Sequence, residues 1–255
     1  MAASALPFEQ QTALVTGASS GIGLATARAL LAQGARRVYV TGRDAAKLQR
    51  AAAGLGERAI AIAADSADIA SLAQLHAAIA ARGDRLDVLF ANAGVAINNA
   101  FGDTSPAAYG TLFDINVKGV FFTVQTLLPL LNDGASVVLN ASIAGNLGMP
   151  NLSLYNASKA AVRSFARSWA SDLKPRRIRV NAISPGVTRT PILHTGLAMD
   201  EAQIDGVAHF LAETSPAGRM GEAEEIAAAV LFLASPAASY VNGAELVADG
   251  GFSQV

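Results

Sequence analysis

Thr12-Ala13-Leu14-Val15-Thr16-Gly17-Ala18-Ser19-Ser20-Gly21-Ile22-Gly23 decides the fold of this 255-residue chain. Thr12 to Val15 is a short apolar run of strand type, the three glycines mark a turn, and Ile22 to Leu31 repeats apolar residues at helical spacing. Such a strand, turn and helix points main-chain N–H groups and the positive end of a helix at whatever lies above, which suits a pyrophosphate. The spacing G-x-x-x-G-x-G is one residue wider than G-x-G-x-x-G. Its glycines can still give the tight turn, the close approach of phosphates and the helix-to-strand contact.

Outward from this stretch, apolar runs alternate with helical patterns. Val38 to Thr41, Ala59 to Ala63, Asp87 to Phe90, Ser136 to Leu139, Ile178 to Ile183 and Glu245 to Val247 bring the strands to seven. Helices are expected around Asp44 to Ala53, Ser66 to Ala81, Pro106 to Leu131, Leu152 to Leu173 and Glu222 to Ala234. The alternation predicts a single α/β domain over residues 1–255, Rossmann-like, with a doubly wound, seven-stranded parallel sheet and helices on both faces. Pro191 to Thr214 has no strand and reads as a substrate lid, about residues 191–214.

Hydrophobic residues make up 52% and charged residues 15% of the chain. That apolar surplus exceeds what one sheet needs and points to a homo-oligomer. A net charge of -1 and a pI near 6.3 give no basic field for nucleic acid. Without cysteine there is no disulfide framework, thiolate nucleophile or Cys-ligated zinc, and no metal site is expected. Met1 to Gln10 lacks a charged leader, and no apolar run reaches the ~18 residues of a membrane span, so no membrane partner and a cytoplasmic location are expected. Gly17 to Gly21 also matches the hydrolase turn G-x-S-x-G. It ends the first strand, however, and of the histidines His76, His194 and His209 no sequence feature ties His194 or His209 to Ser19, so hydrolysis is disfavoured.

Tyr155 and Lys159 stand four apart on a predicted helix, hence on one face. Of the four tyrosines only Tyr155 has this pairing. A phenol titrates near ~10, and an ammonium roughly 4 to 6 Å away favours the phenolate, so the pair can perform general acid/base chemistry. Ser142 follows the fifth strand, at the edge where open α/β sheets bind ligands, and can hydrogen-bond a substrate oxygen. Asn116, inside the long helix, can hold a water against a main-chain carbonyl. Singly, Ser142 reads better as a turn serine and Asn116 as a solvated side chain.

Over nearly its whole length the chain resembles the short-chain dehydrogenase/reductase family. The resemblance rests on Thr16 to Gly23, Asp65 after the third strand, Asn92-Ala93-Gly94 after the fourth, Asn116, Ser142, Tyr155-x-x-x-Lys159, and Pro185-Gly186 followed by Thr190. Ala91 replaces the first asparagine of the family's N-N-A-G, and Ser66 stands where an aliphatic residue is common. The resemblance implies that Asn116, Ser142, Tyr155 and Lys159 act with a nicotinamide cofactor. That cofactor would be held by Gly17, Ser19, Ser20, Gly21, Ile22, Gly23, Gly42, Arg43, Asp65, Ser66, Asn92, Ala93, Gly94, Tyr155, Lys159, Pro185, Gly186, Val187, Thr188 and Thr190.

Cofactor choice turns on Thr41-Gly42-Arg43. No acid stands where one would grip the ribose 2'-hydroxyl of NAD, Gly42 leaves room, and Arg43 suits a 2'-phosphate, so NADP(H) is expected over NAD(H). Asp44 reads as a helix cap, and the adenine would rest near Asp65. The substrate pocket is expected around Ser142, Leu147, Met149, Leu152, Tyr155, Gly186, Ile192 and Leu193, with Val95, Ile97, Leu197 and Phe210 adding apolar surface. This suits a neutral ketone or secondary alcohol. A 3-oxoacyl-carrier-protein reductase is disfavoured because Leu127 to Asp133 has no basic residue and Ser171 stands where those reductases carry arginine. A catalytically silent dinucleotide-sensing regulator would keep the glycine turn and usually lose Tyr155 and Lys159. Helices around Asn116 and Trp169 are expected to form subunit contacts, as in similar homotetramers.

Overall fold

The computed structural model describes residues 6–255; Met1 to Ala5, half of the stretch read above as lacking a leader, lie outside them. The strands are β1 (Thr12–Val15), β2 (Arg37–Gly42), β3 (Ala59–Ala63), β4 (Leu86–Ala91), β5 (Leu131–Asn140), β6 (Arg179–Pro185), β7 (Thr188–Arg189), β8 (Gly221–Glu222) and β9 (Glu245–Ala248). Seven form one parallel sheet in the order β3-β2-β1-β4-β5-β6-β9, as the alternation predicts, while β7 and β8 form a separate two-stranded ladder. Because β1 pairs with both β2 and β4, the winding reverses between β1 and β4, and a crevice opens past their carboxyl ends.

The helices are α1 (Gly21–Ala32), α2 (Ala45–Ala53), α3 (Ile69–Ala80), α4 (Pro106–Phe113), α5 (Gly119–Leu127), α6 (Ser153–Asp172), α7 (Ile192–Thr195), α8 (Glu201–Thr214) and α9 (Ala223–Ala234). Successive strand residues divide between the two faces. Leu14, Tyr39, Leu89 and Leu139 pack under α3, α5 and α6, whereas Val15, Val40, Phe90 and Val138 pack under α1, α2 and α9. Both faces are therefore buried, which is why the strands read as continuous apolar runs.

Two expected boundaries move. The helix expected from Pro106 to Leu131 is broken by a π-helical turn at Asp114–Lys118 and ends in a 3₁₀ turn, and Leu131 already begins β5 through its pairing with Leu86. The helix expected from Ser66 begins at Ile69. Asp65 first accepts a bond from the amide of Ala67, and Asp68 then caps α3 by accepting from Ala70.

At the edge where strands begin, Asp84 is 5% exposed and accepts from Arg36 at 3.0 Å, from Arg37 and from the Tyr39 hydroxyl. Burial alone would raise its pKa, but the three donors outweigh that and hold it below the ordinary 3.8. A carboxylate held low stabilises the fold fully above the unfolded value, and the contribution is lost as pH falls through the folded one. Asp84→Asn is expected to cost about 2 kcal/mol at pH 7, or ~4 to 8 °C in thermal midpoint. Calorimetry against pH should show the gap from wild type closing as the medium is acidified below the ordinary carboxylate range.

Candidate active site

The glycine turn lies at the carboxyl end of β1. Gly17 and Gly21 have φ of +63° and +55°, and a side chain at Gly17 would put its Cβ 2.9 Å from the main chain of Ala93. At Gly23 a Cβ would sit 2.6 Å from Asn92 Nδ2. Only glycine fits this close approach. Asp44, Asp68, Ser105 and Asp200 cap α2, α3, α4 and α8, but Ser20 makes no side-chain bond to the first turn of α1, which also holds no acid. The free amides of α1 face the crevice, a donor set that fits the pyrophosphate of a dinucleotide.

A cavity of about 300 Å³ runs from this turn across the sheet edge. Of the expected cofactor residues, Gly17, Ser20, Gly21, Ile22, Asn92 to Gly94, Tyr155, Lys159, Pro185 to Thr188 and Thr190 line it, and Ser19, Gly23, Gly42, Arg43, Asp65 and Ser66 do not. Ser142, Met149, Leu152, Ile192, Leu193, Leu197 and Val95 line its other end, Leu147 and Ile97 do not, and Phe210 is half-exposed on α8 and packs edge-on against Phe252. Lys47 lines the cavity unanticipated. The only signal for it was Asp44, whose side chain caps α2 by accepting from the Lys47 amide at 2.9 Å. Leu127 to Asp133 proves uninformative about the mouth, since Leu131 starts β5 at the opposite edge of the sheet, and Arg176 there is engaged by Asp133 and the Leu128 carbonyl. His194 and His209 pair on the surface with Glu201 and Glu213, away from Ser19.

Tyr155 and Lys159 occupy the first two turns of α6, with Lys159 Nζ 5.7 Å from the centre of the Tyr155 ring. The ammonium donates to the main-chain oxygen of Asn140 at 2.7 Å. The expectation that it lowers the Tyr155 pKa is not met in the chain alone: burial raises the phenol above 10, and the nearby Ser142 side chain draws it partly back. Asn116 is 1% exposed, and its amide is engaged by protein groups. Its Oδ1 accepts from Val95 N at 2.8 Å, and Nδ2 donates to Val95 O at 2.8 Å and Ser158 Oγ at 3.1 Å. The π-helical turn adds a residue to the helix and turns this side chain toward α6.

A family description of enoyl-(acyl carrier protein) reductase matches residues 17–253. A cis-4-hydroxycyclohexanecarboxylate dehydrogenase of Sinomonas cyclohexanicum is 39% identical, covering 97% of this chain and 98% of its own. The chain belongs to the short-chain dehydrogenase/reductase family. It is thus an oxidoreductase of a family that uses nicotinamide dinucleotides. An NADP-dependent (R)-specific alcohol dehydrogenase of Lentilactobacillus kefiri is 32% identical over 95% of this chain and 96% of its own. A solved short-chain dehydrogenase/reductase family protein superposes with a TM-score of 0.85 at 40% identity, covering 98% of this chain and all of that one.

Burial lowers the Lys159 pKa from 10.5 to about 8. A depressed lysine opposes folding below the folded value, and the penalty is relieved as pH rises toward the unfolded one. Lys159→Met should therefore stabilise the cofactor-free protein at pH 7 by up to about 3 kcal/mol, an advantage that vanishes above about pH 10.5. Thermal melts at pH 7 and pH 10.5 test this.

Proposed function

We propose that the protein transfers hydride between NADP(H) and a neutral, largely apolar ketone or its secondary alcohol, with Tyr155 as the general acid for reduction and base for oxidation. The observation that carries this reading is the convergence of Ser142, Tyr155, Lys159 and the glycine turn on one cavity, whose lining includes Lys47 and Lys159 as its charged side chains. The remaining lining side chains are uncharged, which favours a neutral reacting group in the pocket.

When bound, the nicotinamide supplies or takes the hydride. Ser142 would hold the carbonyl oxygen beside the Tyr155 hydroxyl, which gives that oxygen its proton as the hydride reaches carbon. The phenolate left behind is the form that Lys159 favours once it turns from Asn140 toward the tyrosine. Oxidation runs the same atoms in reverse and needs the phenolate first, so its rate should rise with pH while reduction falls. Asn116 would act by holding Val95 and α6 in place. Residues 191–214 would serve as the lid.

Four observations support NADP(H). No acid stands at Gly42, a Cβ there has ordinary room at 3.5 Å from Ser19 Oγ, Arg43 is exposed beside it, and Lys47 faces the cavity. The Lentilactobacillus relative is itself NADP-dependent. A homotetramer is supported by the half-buried aromatic group of Phe121, Phe165 and Trp169 on α5 and α6, in which Phe165 and Trp169 stack at 4.8 Å. Light scattering that reports a monomer at micromolar concentration would refute that assembly.

A panel of ketones with NADPH and NADH, followed by cofactor absorbance, tests the activity. Tyr155→Phe should lower turnover by ~10² to 10⁴ while NADPH affinity stays within a few-fold. Gly42→Asp should shift preference toward NADH by roughly 10² to 10³ in relative kcat/KM. If wild type already prefers NADH, or if Gly42→Asp leaves the ratio unchanged, Arg43 plays no part in cofactor choice.

A further inference from the structure

Asn140, the last residue of β5, is bonded in two directions at once. Its Nδ2 donates to Asn92 Oδ1 at 2.9 Å, and Asn92 Nδ2 donates in turn to the main-chain oxygens of Thr16 at 2.8 Å and Gly17 at 3.2 Å. The main-chain oxygen of the same Asn140 accepts the Lys159 ammonium. A path thus runs from the first glycine of the turn through the bonded carboxamides of Asn92 and Asn140 and then through the Asn140 main chain to the lysine, and both asparagines line the cavity. Asn140 Oδ1 is buried and lacks a donor among the described residues. Such an acceptor is costly to leave unmade and is retained where something arrives to fill it.

We propose that Asn140 is a positioning residue that couples the glycine turn to Lys159, so that a cofactor settling on the turn sets the place and proton affinity of the lysine, with Oδ1 as the second acceptor open to its ammonium. The inference rests on the reading of Lys159 as part of the proton-handling pair. The direction of the carboxamides follows from their neighbours: Thr16 O and Gly17 O can only accept, so Asn92 must present its nitrogen to them and its oxygen to Asn140. Few other groups compete for the lysine. Tyr155 faces it from its own helix, and from the neighbouring elements come Gly94, whose Cβ position lies 3.5 Å from Nζ, the neutral amide of Asn116 and Ser142. Lys47 is the one other charged side chain among the residues that line the cavity.

Asn140→Ala removes the link to Asn92 but keeps the carbonyl that holds Lys159. Asn140→Asp keeps the shape and puts an anionic oxygen in reach of the ammonium. NADPH titration followed by fluorescence should show roughly tenfold weaker binding to both variants, because Asn92 loses its donor and the turn loosens. Competitive acylation of Lys159 against pH in the cofactor-free protein, read by peptide mass, should place its titration about one unit higher in Asn140→Asp than in wild type. In Asn140→Ala, adding NADP should shift that titration less than it does in wild type. The inference is overturned if both variants melt earlier yet bind NADPH within twofold of wild type and leave the Lys159 titration in place, which is the pattern of a merely structural asparagine. If Asn140→Ala does not fold, the isosteric Asn140→Asp decides the matter alone. Retained turnover in Tyr155→Phe would sink the functional reading, whereas binding and acylation of the Asn140 variants would still decide the coupling.

Discussion

The hydroxyl of Thr16 holds the fork from which the site is built. Its Oγ1 accepts from the amides of both Asn92 and Ala93 at 3.0 Å, and the Thr16 amide donates to Phe90 O at 3.1 Å. Parallel strands that feed helices on opposite faces must part at their carboxyl ends, and there the ladder runs out of main-chain partners. Thr16, 2% exposed, replaces those lost bonds with a side-chain oxygen. The crevice between β1 and β4 is thereby held open at a fixed width, with the glycine turn on one wall and Asn92 to Gly94 on the other.

The two edges of the sheet use polar groups differently. Where strands begin, Asp84 and Asp87 are bonded on both oxygens: Asp84 by two arginines and a tyrosine, Asp87 by the Thr12 amide and Asn132. Such networks fix strand positions. Where strands end, the groups are under-satisfied. The first turn of α1 has no cap, Asn140 Oδ1 has no donor, and the Lys159 charge is buried with a carbonyl for company. Functional sites commonly carry destabilising features of this kind, compensated by the rest of the fold. The bonded carboxylates of the opposite edge and the two apolar cores beneath the helices supply that compensation here.

Ordering within the site follows from packing more than from direct contact with reacting atoms. Asn116 touches Val95 and Ser158 rather than the cavity, yet it joins the segment after β4 to the helix that carries Tyr155 and Lys159. Ser158, fully buried between them in sequence, also donates to the Tyr155 carbonyl at 2.7 Å. Movement of any one of these elements would displace the phenol relative to Ser142.

Much of this was written in the sequence. The glycine turn, the strand alternation and the Tyr155–Lys159 spacing are local patterns, and local sterics and periodicity fix them: only glycine tolerates the turn, and residues four apart on a helix share a face. The seven-stranded parallel sheet followed from those patterns, whereas the expected cofactor residues rested on the resemblance to the family. What the chain by itself could not reveal depends on groups distant in sequence. The π-helical turn at Asn116, the lack of a cap on α1, the approach of Lys47 to the cavity and the withdrawal of Phe210 from it are decided by how elements pack. The same holds for Tyr155 and Lys159. Spacing puts the two side chains on one face, but only burial in the assembled site decides that the phenol is pushed up, the ammonium is pushed down and the lysine turns to Asn140, because desolvation and hydrogen bonding are properties of that site.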